Sequence, residues 1–271
     1  MNIGIVCYPT FGGSGVVATE LGKALALKGH RIHFISYALP VRLTAFEENI
    51  TYHEVSVSDY PLFDYPPYEL ALSNKIVDVA KYEKLDLLHV HYAIPHASAA
   101  YMARQMLATE GIKLPFITTL HGTDITLVGK DASFETAISF AINESNAVTA
   151  VSESLKQDTY YYFSKVKRDI QVIPNFIRME NYNMPEAKQH RKLYASDTQK
   201  ILVHVSNFRK VKRVEDVLRT FDIVRKKIPS RLILVGDGPE RNNIEKLCRE
   251  LDTCAEIQSL GKLSEPNSIL A

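Results

Sequence analysis

Cysteine is scarce in this chain: Cys7, Cys248 and Cys254 are the only three in 271 residues. They are too few and too widely spread for a disulfide framework, and Cys248 with Cys254 falls short of the about four ligands a structural zinc site wants. Free thiols in a reducing compartment are the expectation. Charge of one sign is not in excess, since 32 Lys and Arg face 31 Asp and Glu for a net charge of +1. That excludes the basic balance of a dedicated nucleic-acid binder but leaves room for small anions at a local patch. Long apolar runs are missing too: none reaches the roughly 18 residues that span a bilayer. The opening Met1-Asn2-Ile3-Gly4-Ile5-Val6-Cys7 has no basic leader and reads as a strand, not a signal peptide. A soluble, cytoplasmic protein without a membrane partner is expected. There is no internal repeat or low-complexity tract. Hydrophobic residues at 46 % and charged residues at 23 % are ordinary for a globular protein and exclude disordered, collagenous and coiled-coil chains.

What is present is alternation. Apolar strand runs at residues 3–8, 31–36, 51–57, 86–91, 116–120, 147–151 and 171–173 are separated by helical spacing at 16–28, 68–84, 97–110, 134–144 and from Ser152 or Glu153 onward. Gly29 stands where a glycine ends a helix. Strands apolar throughout, alternating with helices, imply a parallel sheet covered on both faces, hence a doubly wound Rossmann-like α/β domain with its ligand crevice at the carboxyl ends of the strands. Residues 1–176 form this expected domain. Residues 177–199 turn polar and aperiodic and read as an inter-domain connection. The alternation restarts over 200–271 with strands at 200–205, 231–235 and 256–259 and helices at 214–227 and 239–251. Three strands are fewer than a free-standing Rossmann domain usually has, so the second domain is expected to be partial.

The unusual residues fall at strand ends. Gly12-Gly13-Ser14-Gly15 joins the first strand to the first helix. It reads either as an anion cradle, with glycines admitting a phosphate to free helix N–H groups, or as a tight turn. Ser14 either meets a ligand or caps the helix. The loop is neither G-x-G-x-x-G nor a Walker loop. His121 ends an apolar strand beside Gly122, placed to hydrogen-bond a hydroxyl or carry a proton; the competing reading is a satisfied structural histidine. Tyr92 ends another strand. His89 and His91 share a strand face, yet no third ligand joins them at a suitable spacing, and no metal is expected. In the second domain, Ser206-Asn207-Phe208-Arg209-Lys210-Val211-Lys212-Arg213 places four cations in five residues at a strand-to-helix turn, a phosphate or carboxylate clamp or else a solvated basic loop. Gly236 and Gly238 follow the next strand and allow close approach of a ligand. Asp-x-Asp, which holds a divalent ion in many nucleotide-sugar transferases, is absent. So is a nucleophile elbow.

These residues together resemble the retaining glycosyltransferases of the GT-B fold, family four. The glycine loop Gly12 to Gly15, Leu88-His89-Val90-His91-Tyr92-Ala93-Ile94-Pro95-His96-Ala97, Thr118-Thr119-Leu120-His121-Gly122-Thr123-Asp124, the basic loop 206–213 and Leu234-Val235-Gly236-Asp237-Gly238-Pro239-Glu240 carry the resemblance, which covers nearly all of residues 1–262. It implies two Rossmann-like domains facing a cleft. It also implies transfer of N-acetylglucosamine from UDP-GlcNAc to the hydroxyl of L-malate, the first step of bacillithiol biosynthesis, with the α-configuration retained and no metal or other cofactor. Under the resemblance, Gly13 and Gly15 meet the diphosphate, Arg209 and Lys212 neutralise charge on the leaving UDP, and Asn207, Gly236 and Glu240 complete the donor side. His121 holds the sugar near its 6-hydroxyl, and Ser14, Tyr92 and Thr119 contact malate. The substrates are the only partners implied, apart from a second copy in a homodimer. The family places a Glu-x7-Glu motif later than residue 271, so weak donor binding and low or no activity are expected of this chain. Two other readings stay open: a family-four transferase with a different acceptor, and a UDP-sugar-binding fragment without turnover. A dinucleotide oxidoreductase is disfavoured by the glycine spacing and by the absence of a ribose-binding acid after the second strand.

Overall fold

The computed structural model describes all residues except 11, 45, 58–64, 66, 128–130, 183–190, 264–265 and 271. The chain divides into two compact units, Met1–Phe176 and Ile177–Ala271.

The first unit is a seven-stranded sheet, β1 Asn2–Val6, β2 Arg31–Ser36, β3 Ile50–Glu54, β4 Leu87–His91, β5 Phe116–Leu120, β6 Ala147–Ala150 and β7 Ile170–Val172, in the order β3-β2-β1-β4-β5-β6-β7. Every pairing is parallel. The helices are α1 Gly13–Leu27, α2 Tyr68–Tyr82, α3 Ser98–Ala108, α4 Glu135–Glu144 and α5 Glu153–Tyr162. Side chains alternate across a strand, and both faces here are apolar. Ile3, Ile5, Ile32 and Phe34 pack with Ala18 and Ala26 of α1. Val6, Ile35, Leu88 and Val90 pack with Leu72, Ile76 and Val79 of α2 and with Ala100, Ala103 and Leu107 of α3. A third cluster joins Leu120, Val148 and Ala150 to Ile138 and Ile142 of α4 and Leu155 of α5. Two helix ends follow the local chemistry: Gly29 takes φ +87° just past α1, and Ser152 caps α5 by accepting from Leu155 N at 3.1 Å.

One boundary differs from expectation. Gly13, Ser14 and Gly15 are the first turn of α1 and not a loop before it. The reason is packing. A Cβ on Gly15 would lie 2.5 Å from Tyr8 O and 2.7 Å from Thr10 O, so glycine lets the helix start against the chain leaving β1.

The second unit holds β8 Lys200–Val205, α6 Val214–Arg225, β9 Ser230–Val235, α7 Arg241–Glu250, β10 Ile257–Gly261 and the short α8 Asn267–Leu270. Its sheet is parallel in the order β10-β9-β8. Leu232 and Leu234 of β9 meet Leu218 and Phe221 of α6 and Ile244 and Leu247 of α7, with Phe208 closing one end. Part of the expected connection is folded: Met179–Tyr182 is a 3-10 turn, and Arg191 Nη1 donates to Ser196 O at 3.0 Å.

The expectation of three free thiols is corrected. Cys248 and Cys254 form a disulfide, their Cα atoms 5.1 Å apart, and only Cys7 is free and buried. The chain reverses after α7, where Thr253 N donates to Cys248 O at 2.9 Å, and that reversal delivers Cys254 to the helix it has just left. Among the described residues no helix is long and apolar enough to cross a membrane.

Candidate functional site

Each unit carries its unusual residues at the carboxyl ends of its strands. In the first unit, the ends of β4 and β5 and the start of α1 converge. Tyr92 sits at φ +88°, ψ 139°, a region non-glycine residues occupy at a cost of about 1–3 kcal/mol. Three hydrogen bonds hold it there. Tyr92 N donates to Thr119 O at 2.9 Å, Ala97 N donates to Tyr92 O at 3.2 Å, and the phenol donates to Ser14 Oγ at 2.7 Å. Ser14 thus serves as a partner of Tyr92 and not as a helix cap. Gly12 at the N-cap of α1 offers no side-chain cap and no acidic residue lies in the first turn, so no negative side chain of the helix itself offsets its N-terminal dipole. Burial raises the Tyr92 phenol above its ordinary range against the pull of Ser14, and burial also lifts nearby Tyr8 to about 12. Both stay neutral donors.

Beneath them runs a column of imidazoles. His89 and His91 stack at 4.7 Å between centroids, and His91 and His121 at 5.0 Å. His121 also packs 5.4 Å from the Tyr92 ring. His91 Nδ1 and His121 Nε2 are hydrogen-bonded at 2.8 Å. His91 Nε2 is buried with no partner, and a buried orphan acceptor is less costly than an orphan N–H. His91 therefore carries its proton on Nδ1 and donates to His121, which leaves the His121 proton on Nδ1. His96, fully buried, donates from Nδ1 to His91 O. Burial lowers His89, His96 and His121 to about 4 and His91 well below the ordinary range. At neutral pH His121 is an uncharged hydrogen-bonding group. Thr119 is only 8 % exposed, and its hydroxyl already bridges His89 Nε2 and Thr149 Oγ1, each at 2.7 Å. Those two bonds tie the hydroxyl to the column.

The sequence reading passed over Asp124. Its carboxylate accepts from Ala93 N at 3.0 Å and Gly122 N at 3.2 Å, tying the turn after His121 to the turn after Tyr92. Burial raises it to about 6, outweighing those backbone donors. The only local signal was an acid two residues beyond Gly122, close enough for its carboxylate to accept from that backbone N–H.

In the second unit the basic loop turns differently. Residues Lys210–Lys212 form a 3-10 turn, and Arg213 adopts a left-handed conformation at φ +48° before α6. Arg213 pairs with Asp216. Arg209, Lys210 and Lys212 are exposed and make no ion pair with any described residue, so three of the four cations stay available. Lys212 also pushes His204 down, second to burial; His204 Nε2 is hydrogen-bonded to Ser206 Oγ at 2.8 Å. Asn207 Oδ1 is buried without a partner. Gly236 and Gly238 are tightly packed. A Cβ on Gly236, at φ +127°, would sit 1.8 Å from Ser206 O, and one on Gly238 would sit 2.7 Å from Phe208 O. Glycine at both positions lets the neighbouring 206–208 backbone pass close by. Glu240 N donates to Phe208 O at 3.0 Å, and Glu240 Oε2 accepts from Asn243 at 3.0 Å.

Two parallel-sheet α/β units, each with its polar residues at the carboxyl ends of its strands, have the architecture of a GT-B glycosyltransferase. Residues 11–181 match Glycosyltransferase Family 4, and residues 185–271 match Glycosyl transferases group 1. The chain belongs to glycosyltransferase family 4. It is 49 % identical over its whole length to N-acetyl-alpha-D-glucosaminyl L-malate synthase of Bacillus anthracis, of which it spans 70 %. It is 22 % identical to alpha-monoglucosyldiacylglycerol synthase of Streptococcus pneumoniae, of which it spans 63 %. The fold matches Anabaena Alr3699/HepE, solved with UDP and glucose, at a TM-score of 0.72 and 17 % identity, covering all of this chain and 72 % of that one.

Proposed function

We propose that the protein transfers N-acetylglucosamine from UDP-GlcNAc to the hydroxyl of L-malate with retention at the anomeric carbon. The observation that carries this is the 49 % identity, sustained over the whole chain, to the Bacillus anthracis L-malate synthase. The bond from the anomeric carbon to the diphosphate breaks as the bond to the malate oxygen forms on the same face. The malate proton passes to a departing diphosphate oxygen. No protein base is needed, which agrees with a His121 kept neutral down to about pH 4. That imidazole holds a sugar hydroxyl through hydrogen bonding. Arg209 and Lys212 offset charge growing on the leaving UDP, a contribution usually among the largest in such sites, and a metal ion has no assigned part. Asn207 and Glu240 belong to the donor side, where Gly236 shapes the turn. Ser14 and Tyr92 hold the acceptor, Thr119 supports them from below, and the uncapped first turn at Gly13 to Gly15 faces an anionic oxygen.

The test is mass spectrometry of the chain with UDP-GlcNAc and L-malate, with EDTA in a parallel reaction. The GlcNAc-malate conjugate is expected in both. Turnover of a neutral sugar or glycerol in preference to malate would replace this acceptor with another one of the family, and saturable UDP binding without any product would favour a binding role.

A further inference from the structure

At the other end of the first sheet, three side chains with metal-ligand chemistry converge outside the site described above. His33 lies on β2 and His53 on β3, and Glu83 directly follows α2. One donor atom from each falls within 4.8 Å of the other two. The register explains the meeting of the histidines. His53 pairs with Ile35, and Ile35 and His33 are two apart on one strand, so both imidazoles stand on the same face. Helix α2 brings Glu83 to the amino edge of the sheet, where Asn2 Nδ2 donates to Glu83 O at 2.7 Å. Tyr92 and His121, by contrast, follow the carboxyl ends of β4 and β5.

His33 Nδ1 and His53 Nε2 approach to 3.0 Å, with the rings stacked 5.3 Å apart at 28°. His33 is 4 % exposed, and its Nε2 has no hydrogen-bond partner. A hydrogen-bonded histidine pair alone accounts for the 3.0 Å contact. It does not account for the Glu83 carboxylate, which lies within 4.8 Å of a nitrogen of each imidazole. Ligands of a tetrahedral ion with bonds of about 2.0–2.1 Å stand about 3.3 Å from one another. The two nitrogens are already near that separation, and Glu83, only half-buried, closes its share by side-chain rotation.

The geometry points to a divalent transition-metal site formed by His33, His53 and Glu83, of the kind that takes Zn2+, with water in the fourth position. Two nitrogens and one carboxylate oxygen suit Zn2+ and not Mg2+ or Ca2+, which favour oxygen ligands throughout. Such an ion would pin the edge strand β3 and the end of α2 to β2. It stabilises the first unit and takes no part in transfer.

The test is calorimetric titration of the EDTA-stripped chain with ZnCl2, together with thermal melting. One equivalent should bind, and the melting temperature should rise by about 5 °C at a hundredfold excess over Kd. MgCl2 should leave it unchanged. His53→Gln and Glu83→Gln should each lose the stoichiometric event, and His30→Gln, outside the cluster, should keep it. Co2+ should give visible absorption bands of a four-coordinate site in the wild-type chain and not in His53→Gln. Absence of stoichiometric Zn2+ binding to the wild-type chain overturns the proposal, whatever the variants do. So does unchanged binding in the double variant His53→Gln, Glu83→Gln. GlcNAc-malate formation is read separately, so failure here leaves the transferase proposal standing.

Discussion

The strand ends of the two units solve opposite problems. In the first, these polar groups are buried or half-buried, uncharged and already partnered: Tyr92 to Ser14, His91 to His121, and Thr119 between His89 and Thr149. In the second, Arg209, Lys210 and Lys212 are exposed, and only Arg213 of the basic run is paired, to Asp216. A mouth of fixed neutral donors selects by shape and by hydrogen-bond direction, and it loses little on binding because it is already ordered. Under the proposed function, a turn of uncommitted cations would meet the charge that appears as a diphosphate departs. The contrast then teaches that recognition and charge neutralisation, if divided between the units in this way, should fail separately.

Acid should separate them most strongly. His89, His96 and His121 titrate at about 4 in the fold against 6.5 in the unfolded chain. The unfolded state therefore takes up protons first as pH falls. The stability these histidines contribute is complete above pH 6.5 and is lost towards pH 4, by about 1.4 kcal/mol per pH unit for each imidazole. Asp124 runs the other way, because its folded value is raised to about 6 and its protonation favours the fold. The three imidazoles set against Asp124 give a net loss of about 3 kcal/mol per pH unit between pH 6 and 4.5. His91, lowered further, adds to it, and calorimetry should show the first unit melting ahead of the second. Equal losses in both units would break the comparison.

Lys212→Ala should lower turnover by about 10²–10³-fold with the melting temperature unchanged. Arg213→Ala, which removes a cation already paired, should do far less; steady-state kinetics on both variants sharpens the claim that free cations matter. Gly236→Ala should destabilise the second unit by about 3 kcal/mol, read by urea melts, because its methyl would overlap Ser206 O. Tyr92→Phe removes one hydrogen bond, to Ser14, and should weaken malate binding by about 1 kcal/mol, roughly fivefold by titration calorimetry, without changing UDP binding.

Much of this was legible in the sequence where local rules act alone. The strands Arg31–Ser36, Phe116–Leu120 and Lys200–Val205 have the bounds their apolar runs imply, because each is a short buried run with a turn signal or polar break beside it. Tyr92 and His121 were legible as strand-end residues. What stayed hidden depends on register and close approach. The pairing of His91 with Thr119 across β4 and β5 builds the imidazole column, and nothing in either segment announces the other. The packing demands on Gly15 and Gly236 are set by backbone from elsewhere in each fold, which neither glycine run reveals by itself. The Cys248–Cys254 bond depends on a chain reversal that residue spacing alone does not reveal.

The division of labour is tested most directly by hydrogen exchange read by mass spectrometry, with L-malate alone and with UDP alone. Malate should slow exchange in residues 91–97 and leave 206–213 unchanged, and UDP should slow exchange in 206–213 and 236–241. Protection by malate confined to residues 206–241, or by UDP confined to 91–97, would contradict the account.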